Sequence, residues 1–278
     1  MNVVLGARGR LGHAIAASSP LNQTLTPERF TYFEWWREGG ADRASRYLEG
    51  LRVEPGVVYV AAGIIDPSRP GEEHENVNYQ LARNVVEGAT RLGFRVLTFG
   101  TVMEKLIADD SKNPYYSSKK KLGRFVEDFA PRSGSALHVR IHTLFGGGPP
   151  EGFMFLGQMF RALVDQVEFR MSPGTQLREY HHLDDEVQAI FQLARGQAGG
   201  SIDLSHGEPV ALRDMADYVF RAFGCPWLLK AGALPGPAAD NFGVVFKRTS
   251  ALGDISFRPT LPAVVDYLQH CRNLPSAR

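Results

Sequence analysis

Three glycines directly after the first apolar run constrain the fold of this chain most. The run covers residues 3–5, and Gly6, Gly9 and Gly12 follow it before an alanine-rich stretch begins. A turn between a strand and a helix needs residues without side chains where the backbone approaches a pyrophosphate. The helix N-terminus then supplies amide groups and a partial positive charge. Because the glycines stand in this context, they predict a dinucleotide-binding turn.

Short apolar runs recur along the first half of the chain and alternate with stretches of helical periodicity. The later runs cover residues 57–60, 95–99 and 137–141. This alternation predicts βαβ units and therefore an α/β fold with a Rossmann-like, doubly wound parallel sheet. The pattern changes near residue 150. We expect a dinucleotide-binding domain over residues 1–150 and a smaller α/β, mainly substrate-binding part over 151–278, with segments around 180–205 returning to the first domain.

The composition excludes several other classes of protein. Of the 278 residues, 44% are hydrophobic, and 31 Lys plus Arg against 30 Asp plus Glu give a formal net charge of +1. This balance argues against nucleic acid or an anionic membrane as a partner. No run of about 18 apolar residues and no signal-peptide pattern occurs, and Cys225 and Cys271 are the only cysteines. We therefore expect a cytoplasmic protein.

Arg8, inside the glycine turn, bears on which dinucleotide is bound. Its guanidinium could pair with a 2′-phosphate, which favours NADP, and the alternative is a solvated loop arginine. An acidic residue about 20 positions after the glycines would instead bind the ribose 2′-hydroxyl of NAD. Glu28 and Arg29 are adjacent in that region, so the position is ambiguous. We expect NADP, with NAD possible.

A tyrosine and a lysine four residues apart form the second functional candidate. Tyr115 and Lys119 share one helix face, and a lysine ammonium near a phenol lowers the pKa of the tyrosine. Such a tyrosine can move the proton that accompanies hydride transfer at a carbonyl or hydroxyl, and Thr101 could bind the same oxygen. Tyr116 and Lys120 have the same spacing. We prefer the first pair because Lys119 leads onto the apolar face of the following helix.

The ordered series of motifs resembles the extended short-chain dehydrogenases/reductases of the NAD-dependent epimerase/dehydratase family, which act on nucleotide sugars. The glycine turn and the tyrosine–lysine pair belong to this series. Its most specific part is residues 178–185, which are similar to the family's R-(D/E)-F-x-H-V-D-D segment. Residues 202–209 are similar to its N-I-G-x-G-E-P segment.

The resemblance implies roles for individual residues. It implies Thr101, Tyr115 and Lys119 as catalytic residues, and Thr101, Thr143 and Arg178 as substrate-binding residues. The guanidinium of Arg178 suits the oxygens of a nucleotide diphosphate, and the alternative is an ion pair with a nearby aspartate, Asp184 or Asp185. The expected cofactor-binding residues are Gly6, Arg8, Gly9, Arg10, Leu11, Gly12, Ala61, Ala62, Gly63, Tyr115 and Lys119.

The remaining polar residues of the R-(D/E)-F-x-H-V-D-D-like segment have structural interpretations. His181 and His182 are expected to serve packing or hydrogen bonding. Asp184 and Asp185 stand at a predicted helix start, where carboxylates act as caps. The sequence therefore predicts no metal site.

Departures from the family's pattern narrow the reaction. Val102 and Met103 follow Thr101 where the 4,6-dehydratases carry an aspartate and a glutamate, and neither can transfer a proton. Met103 and Gly148 occupy the positions of the Cys/His pair in GDP-fucose synthase. We therefore expect NADP-dependent reduction of a nucleotide-linked 4-keto-(deoxy)hexose by a homodimer, with Tyr115 as proton donor. A 4-epimerase with tightly bound NAD and a non-catalytic dinucleotide-binding protein are the alternatives.

Overall fold

The chain is built around a six-stranded parallel sheet. The computed structural model describes residues 1–66, 68–109 and 111–274, apart from the side chains of residues 21, 132 and 133. The strands are β1 (Asn2–Leu5), β2 (Thr24–Leu25), β3 (Val57–Val60), β4 (Arg95–Thr101), β5 (Ala136–Ile141), β6 (Thr143–Phe145), β7 (Phe169–Met171), β8 (Leu177–Arg178), β9 (Tyr180–His182), β10 (Gly200–Asp203), β11 (Val210–Ala211) and β12 (Leu229–Ala231).

Helices alternate with these strands. They are α1 (Arg10–Ser18), α2 (Arg29–Tyr32), α3 (Gly40–Gly50), α4 (Gly71–His74), α5 (Ala82–Thr90), α6 (Pro114–Ser133), α7 (Phe155–Asp165), α8 (Leu183–Arg195), α9 (Leu212–Ala222) and α10 (Thr260–Asn273). A π-helical stretch, Glu75–Leu81, joins α4 to α5. In the part of the chain that the structure describes, no helix is both long enough and apolar enough to cross a membrane.

The six-stranded sheet confirms the predicted α/β fold. Its strand order is β10-β5-β4-β3-β1-β2, and every neighbouring pair is parallel. Because parallel strands need crossover connections, helices cover the sheet and its strands are apolar along most of their length. The carboxyl ends of β1, β3 and β4 lie at one edge of the sheet. The glycine turn, Ala61 and Thr101 all come to that edge.

The chain divides into two compact units by its internal contacts. The first unit contains Met1–Ile141, Val187–Leu204 and Thr249–Gly253. The second contains His142–Glu186, Ser205–Arg248 and the residues from Asp254 onward. Each unit has its own buried apolar cluster.

The second unit contains three short two-stranded pairings. β6 pairs with β9 and β7 with β12 in parallel, whereas β8 pairs with β11 antiparallel. Its core packs α7, α9 and α10 together, and the rings of Phe169 and Phe220 stack with their centroids 5.6 Å apart. Cys225 and Cys271 are buried in this unit as free thiols.

Leu97 tests how strongly the central strand stabilises the first unit. Its side chain lies on β4 between β3 and β5 and is fully buried. We expect Leu97→Ala to lower the free energy of unfolding by about 2–5 kcal/mol, because it removes buried methyl groups and leaves a cavity. Chemical denaturation monitored by circular dichroism measures this loss.

Ile65→Ala is the matched control in the same unit. Ile65 is 53% exposed, so its truncation should change stability by no more than about 0.5 kcal/mol. Equal losses in the two variants would contradict the assignment of β4 to the core.

Candidate active site

The glycine turn is closed so tightly that two of its positions have no room for a side chain. Gly6 has φ +91°, and a Cβ there would lie 2.4 Å from the backbone N of Ala62. A Cβ on Gly12 would lie 2.2 Å from the carbonyl oxygen of Gly6. A Cβ on Gly9 would meet that oxygen at an ordinary 3.5 Å. The turn thus packs α1 directly against the carboxyl ends of β1 and β3.

The start of α1 offers backbone N–H groups to an anion. Gly9 precedes the helix, and no side chain of the described residues caps it. Arg10 and Leu11 form the first helical positions, where amide groups lack partners within the helix. This arrangement fits the pyrophosphate of a dinucleotide, whose negative charge the helix N-terminus favours.

The charges of two arginines act on the hydroxyl group of Tyr32, which contacts the glycine turn. The backbone N–H of Gly6 donates a hydrogen bond to the hydroxyl oxygen of Tyr32 over 3.0 Å. Burial raises the pKa of Tyr32, whereas this hydrogen bond and the charges of Arg29 and Arg8 oppose the rise. Both guanidinium groups therefore contribute positive potential beside the turn, as binding of a 2′-phosphate requires.

Asn78 fixes the loop that follows β3. Its side-chain oxygen accepts the N–H of Ile64 over 2.8 Å, and its amide group donates to the Ile64 carbonyl over 3.0 Å and to the Ser118 hydroxyl over 3.2 Å. These bonds hold the backbone of residues 61–64 beside the glycine turn. The expected cofactor-binding residues Ala61, Ala62 and Gly63 lie in this loop.

The start of α6 fixes the register of the tyrosine–lysine pair. Asn113 caps the helix by accepting the backbone N–H groups of Tyr115 over 3.0 Å and of Tyr116 over 3.3 Å, and Pro114 occupies the first helical position. Both features are typical of a helix start. The half-buried Tyr115 ring meets the ring of His74 edge-on, with the centroids 6.4 Å apart.

Lys119 lies against the sheet, whereas Lys120 lies on the other side of the helix. Lys119 is only 8% exposed, and its Nζ donates to the carbonyl oxygen of Phe99 on β4 over 2.8 Å. Lys120 instead pairs with Asp109 over 2.7 Å. The geometry favours the predicted Tyr115/Lys119 pair over Tyr116/Lys120, since only Lys119 reaches the sheet edge where the glycine turn lies.

The lowered pKa that the sequence predicts for Tyr115 is not found in this structure. Burial raises the pKa of Tyr115 well above its usual value, and the charges of Glu104 and Tyr116 add to the rise. The physical reason is that desolvation disfavours the phenolate, while the lysine ammonium donates to a backbone carbonyl. Tyr115 therefore holds its proton at neutral pH.

Sequence reasoning missed Glu104, a buried carboxylate beside the pair. Thr101 ends β4, and a capping box links the two residues: Glu104 Oε1 accepts the N–H of Thr101 over 2.7 Å, and Thr101 Oγ1 accepts the N–H of Met103 over 3.3 Å. The Thr-x-x-Glu spacing was a signal that could have identified this contact.

A buried hydrogen-bond chain continues from Glu104 into the sheet. His138 Nε2 lies 3.2 Å from Glu104 Oε2, and its Nδ1 lies 2.8 Å from the hydroxyl of Thr98. Gly100 leaves the space for this chain, because a Cβ there would lie 2.0 Å from Glu104 Oε1. The carboxylate is thus held against Thr101 and beneath the tyrosine–lysine pair.

Two expected substrate-binding residues, Thr143 and Arg178, belong to the second unit. Thr143 begins β6, and its N–H donates to the carbonyl oxygen of Glu179 over 3.2 Å. Arg178 pairs with Asp240 over 2.5 Å. The alternative pairing of Arg178 with Asp184 or Asp185 is wrong, because both aspartates stand in the first turn of α8 and contact Arg258.

The fold and this site define a Rossmann-type protein with a dinucleotide-binding turn and a tyrosine–lysine pair at one sheet edge. The sequence model of the NAD dependent epimerase/dehydratase family matches residues 3–204. The chain belongs to this family, which confirms the class predicted from its motifs. No curated protein matches the chain by sequence.

Solved structures of similar fold cover nearly the whole chain. A double mutant of dTDP-glucose 4,6-dehydratase from Streptomyces venezuelae, with NAD bound, is 14% identical with a TM-score of 0.77, covering 98% of this chain and 97% of that one. A dTDP-4-dehydrorhamnose reductase from Bacillus anthracis, with NADP, is 15% identical with a TM-score of 0.74, covering 97% and 98%.

A third solved structure of similar fold is that of an epimerase. The UDP-glucuronic acid 4-epimerase from Bacillus cereus, in complex with UDP-glucuronic acid and NAD, is 15% identical with a TM-score of 0.72, covering 97% of this chain and 99% of that one. The three structures hold NAD or NADP, the cofactors that the sequence predicts.

The buried Lys119 should lower the free energy of unfolding at neutral pH. Burial lowers the pKa of Lys119 to about 8, although Glu104 opposes this shift. Because the folded pKa lies below the unfolded value, the folded state binds fewer protons between these pKa values, and wild-type stability rises with pH there. We expect Lys119→Met to be more stable than wild type at pH 7 by about 2 kcal/mol, with the difference shrinking above pH 8.

Denaturation curves of both proteins between pH 7 and pH 10 measure this difference. Lys120→Met is the control, because its exposed pair with Asp109 contributes no more than about 1 kcal/mol. A Lys119→Met variant that is less stable than wild type across this range would contradict the inference.

Proposed function

We propose that this protein is an NADP-dependent reductase of a nucleotide-linked 4-keto-(deoxy)hexose. The observation that carries the proposal is the placement of Tyr115 and the buried Lys119 on α6, where Lys119 contacts β4 at the sheet edge that carries the glycine turn. Reduction of a carbonyl consumes one proton, so the enzyme must present a protonated acid to the oxygen.

The cofactor fits the residues that are present. The close approach at Gly6 and Gly12, the uncapped start of α1 and the neighbouring Arg8 and Arg29 together suit a dinucleotide that carries a 2′-phosphate. When bound, NADPH supplies the hydride. Glu28 is the first acidic residue after β2, and it stands next to Arg29, so the region where an acidic residue would bind the NAD ribose also carries a cation.

The side chains of the site divide the remaining tasks. Tyr115 gives its phenolic proton to the carbonyl oxygen as the hydride reaches the carbonyl carbon, which leaves an alcohol and a phenolate. Thr101 orients the oxygen by a hydrogen bond. Lys119 would offset part of the desolvation of the phenolate once the proton has left, because an ammonium lowers the free energy of a nearby anion in a site of low dielectric constant.

Dehydration is disfavoured because, among the described residues, the three that follow Thr101 supply no free acid–base pair. Val102 and Met103 transfer no proton. Glu104 is engaged with the backbone of Thr101 and with the ring of His138, so its oxygens are directed into the sheet. These residues support hydride transfer at one carbon of the substrate.

The substrate class rests on the family and on the activities of the similar structures. A nucleotide diphosphate would bind Arg178, and its oxygens would compete with the carboxylate of Asp240, which holds the guanidinium in this structure. Thr143 would contact the same substrate. That the protein forms a homodimer and that it is cytoplasmic remain predictions from the sequence.

Tyr115→Phe tests the proton donor. With NADPH and CDP- or dTDP-linked 4-keto-6-deoxyhexoses as substrates, we expect the variant to lose about 10²- to 10⁴-fold in kcat and to keep its NADPH affinity, because only the transferred proton is removed. Absorbance of NADPH measures the rate, and wild type should consume one NADPH per sugar reduced.

Tyr116→Phe is the matched control and should keep most of the activity. If Tyr116→Phe loses activity and Tyr115→Phe does not, the assigned pair is wrong. Interconversion of the 4-hydroxyl epimers without net NADPH consumption would identify the epimerase instead. Cofactor binding that survives in both variants, with no turnover by wild type on any tested sugar, would identify a non-catalytic protein.

Arg8→Ala tests the 2′-phosphate contact. We expect the dissociation constant of NADPH to rise about 10- to 100-fold and that of NADH to stay nearly constant, since a charge-assisted hydrogen bond to phosphate is lost. Isothermal calorimetry measures both. Arg46→Ala, an exposed substitution on α3, is the control. An equal loss of affinity for both cofactors would reject the assignment.

A further inference from the structure

The second unit buries three histidines and two glutamates in one cluster, defined by His142, Glu179, His181, Glu186 and His206. These residues come from four segments: the link between β5 and β6, the β8–β9 region, the start of α8 and the loop after β10. Their side chains are between 0% and 8% exposed. None takes part in the chemistry proposed above.

Three of these side chains converge on one point. Glu179, His181 and His206 each offer one ligand atom, and the three atoms lie within 4.8 Å of one another. His142 lies beside them, with its Nε2 3.7 Å from Glu179 Oε1 and its ring centroid 5.3 Å from that of His181. Such a spacing allows a single ion to contact all three ligand atoms.

Hydrogen bonds within the cluster leave the Nε2 atom of His206 unsatisfied. His181 Nδ1 lies 2.7 Å from Glu186 Oε2, and His181 Nε2 lies 3.1 Å from Glu179 Oε2. His206 Nε2 is buried, and no described residue offers it a hydrogen bond. Its distance to Glu179 Oε2 is 3.8 Å, too long for such a bond.

An ionic network without a metal explains only part of this arrangement. A doubly protonated His181 would satisfy one oxygen of each glutamate, but it would leave His206 Nε2 without a partner. Buried polar atoms are nearly always hydrogen-bonded to protein or to ordered water, or bound to a metal. The unsatisfied nitrogen faces the carboxylate that His181 also contacts, so one additional cation would complete all three groups.

We propose that Glu179, His181 and His206 bind a zinc ion, with His142 close enough to provide the fourth ligand. Imidazole nitrogens and carboxylate oxygens are ligands that zinc prefers, and four protein ligands are typical of a structural site. The hydrogen bonds of His181 to Glu186 and Glu179 agree with the role expected from the sequence, and the proposal adds metal binding to it.

The contacts around the ligands suit this assignment. Glu186 would orient His181 through Nδ1, as carboxylates do for zinc-bound histidines. Ser205 Oγ donates to Glu179 Oε1 over 2.5 Å, and the N–H of His206 donates to Glu179 Oε2 over 2.9 Å, which fixes the carboxylate. On binding, zinc replaces the Nε2 proton of His181.

His206 needs one local change to coordinate through Nε2. Its Nδ1 accepts the N–H of Glu208 over 3.2 Å in this structure, and this nitrogen would carry the ring proton in the zinc-bound form. Glu208 is exposed and follows Gly207, so its amide can turn to water. The ion would then tie the β8–β9 region to the loop after β10, 27 residues further along the chain, which is the role of a structural site.

Zinc binding to the full chain tests the proposal. Protein treated with a chelator is titrated with Zn²⁺ by calorimetry, and its thermal unfolding is compared with and without the ion. We expect one zinc per chain and a higher Tm, because an ion that binds only the folded state stabilises it. Co²⁺ in place of Zn²⁺ should give the intense visible absorption of a tetrahedral site.

Variants separate this site from adventitious binding. Glu186→Gln should weaken zinc affinity about 10- to 100-fold through the orientation of His181. His206→Gln, which removes a ligand, should weaken it further. His270→Gln changes an exposed histidine of the same unit and should have no effect.

Two results would overturn the site. One is an unchanged Tm and no zinc uptake by chelated wild type. The other is equal zinc affinity in wild type, Glu186→Gln and His206→Gln. If His206→Gln fails to fold, the Co²⁺ spectrum of wild type together with Glu186→Gln decides the question. All of these measurements are independent of NADP and of any sugar substrate.

Discussion

The close contact between the glycine turn and the end of β3 is the constraint on which the first unit depends. Gly6 adopts a positive φ, and its Cα lies so near the backbone of Ala62 that no Cβ fits between them. The N–H of Ala61 donates to the carbonyl oxygen of Leu5, which continues the β1–β3 pairing up to this contact. Because the strands are parallel, the same edge receives the loop of Gly63 and the end of β4. The cofactor turn and the tyrosine–lysine pair are thus parts of one sheet edge.

Burial of charge is what makes this edge chemically useful. Lys119 is held against β4 with its ammonium on a backbone carbonyl, and Glu104 is held beneath it by Thr101 and His138. In such a site of low dielectric constant, an ammonium stabilises an adjacent phenolate far more than it would in water. The same desolvation raises the free energy of the charged groups. Under the proposed function, the lower stability around Lys119 accompanies a cation that can act on Tyr115.

The second unit places charge inside its core for another purpose. Its histidine and glutamate cluster joins segments that are remote in the sequence, whereas the pair of Arg178 and Asp240 keeps one guanidinium ready near its surface. A ligand diphosphate at Arg178 would exchange one anion for another, so binding there leaves no uncompensated charge. In both cases, ionic contacts over long sequence separations organise short strands that have few hydrogen bonds of their own.

The sequence by itself determined the features that depend on local spacing. It predicted the parallel sheet from apolar runs, the cofactor turn from Gly6 and Gly12, and the helix that carries Tyr115 and Lys119. Tertiary structure alone decided the direction of the Tyr115 pKa, the partner of Arg178 and the convergence of Glu179, His181 and His206. The physical reason is range: strands, turns and helix faces repeat over a few residues, whereas desolvation and ion pairing depend on what the folded chain brings near from far along the sequence.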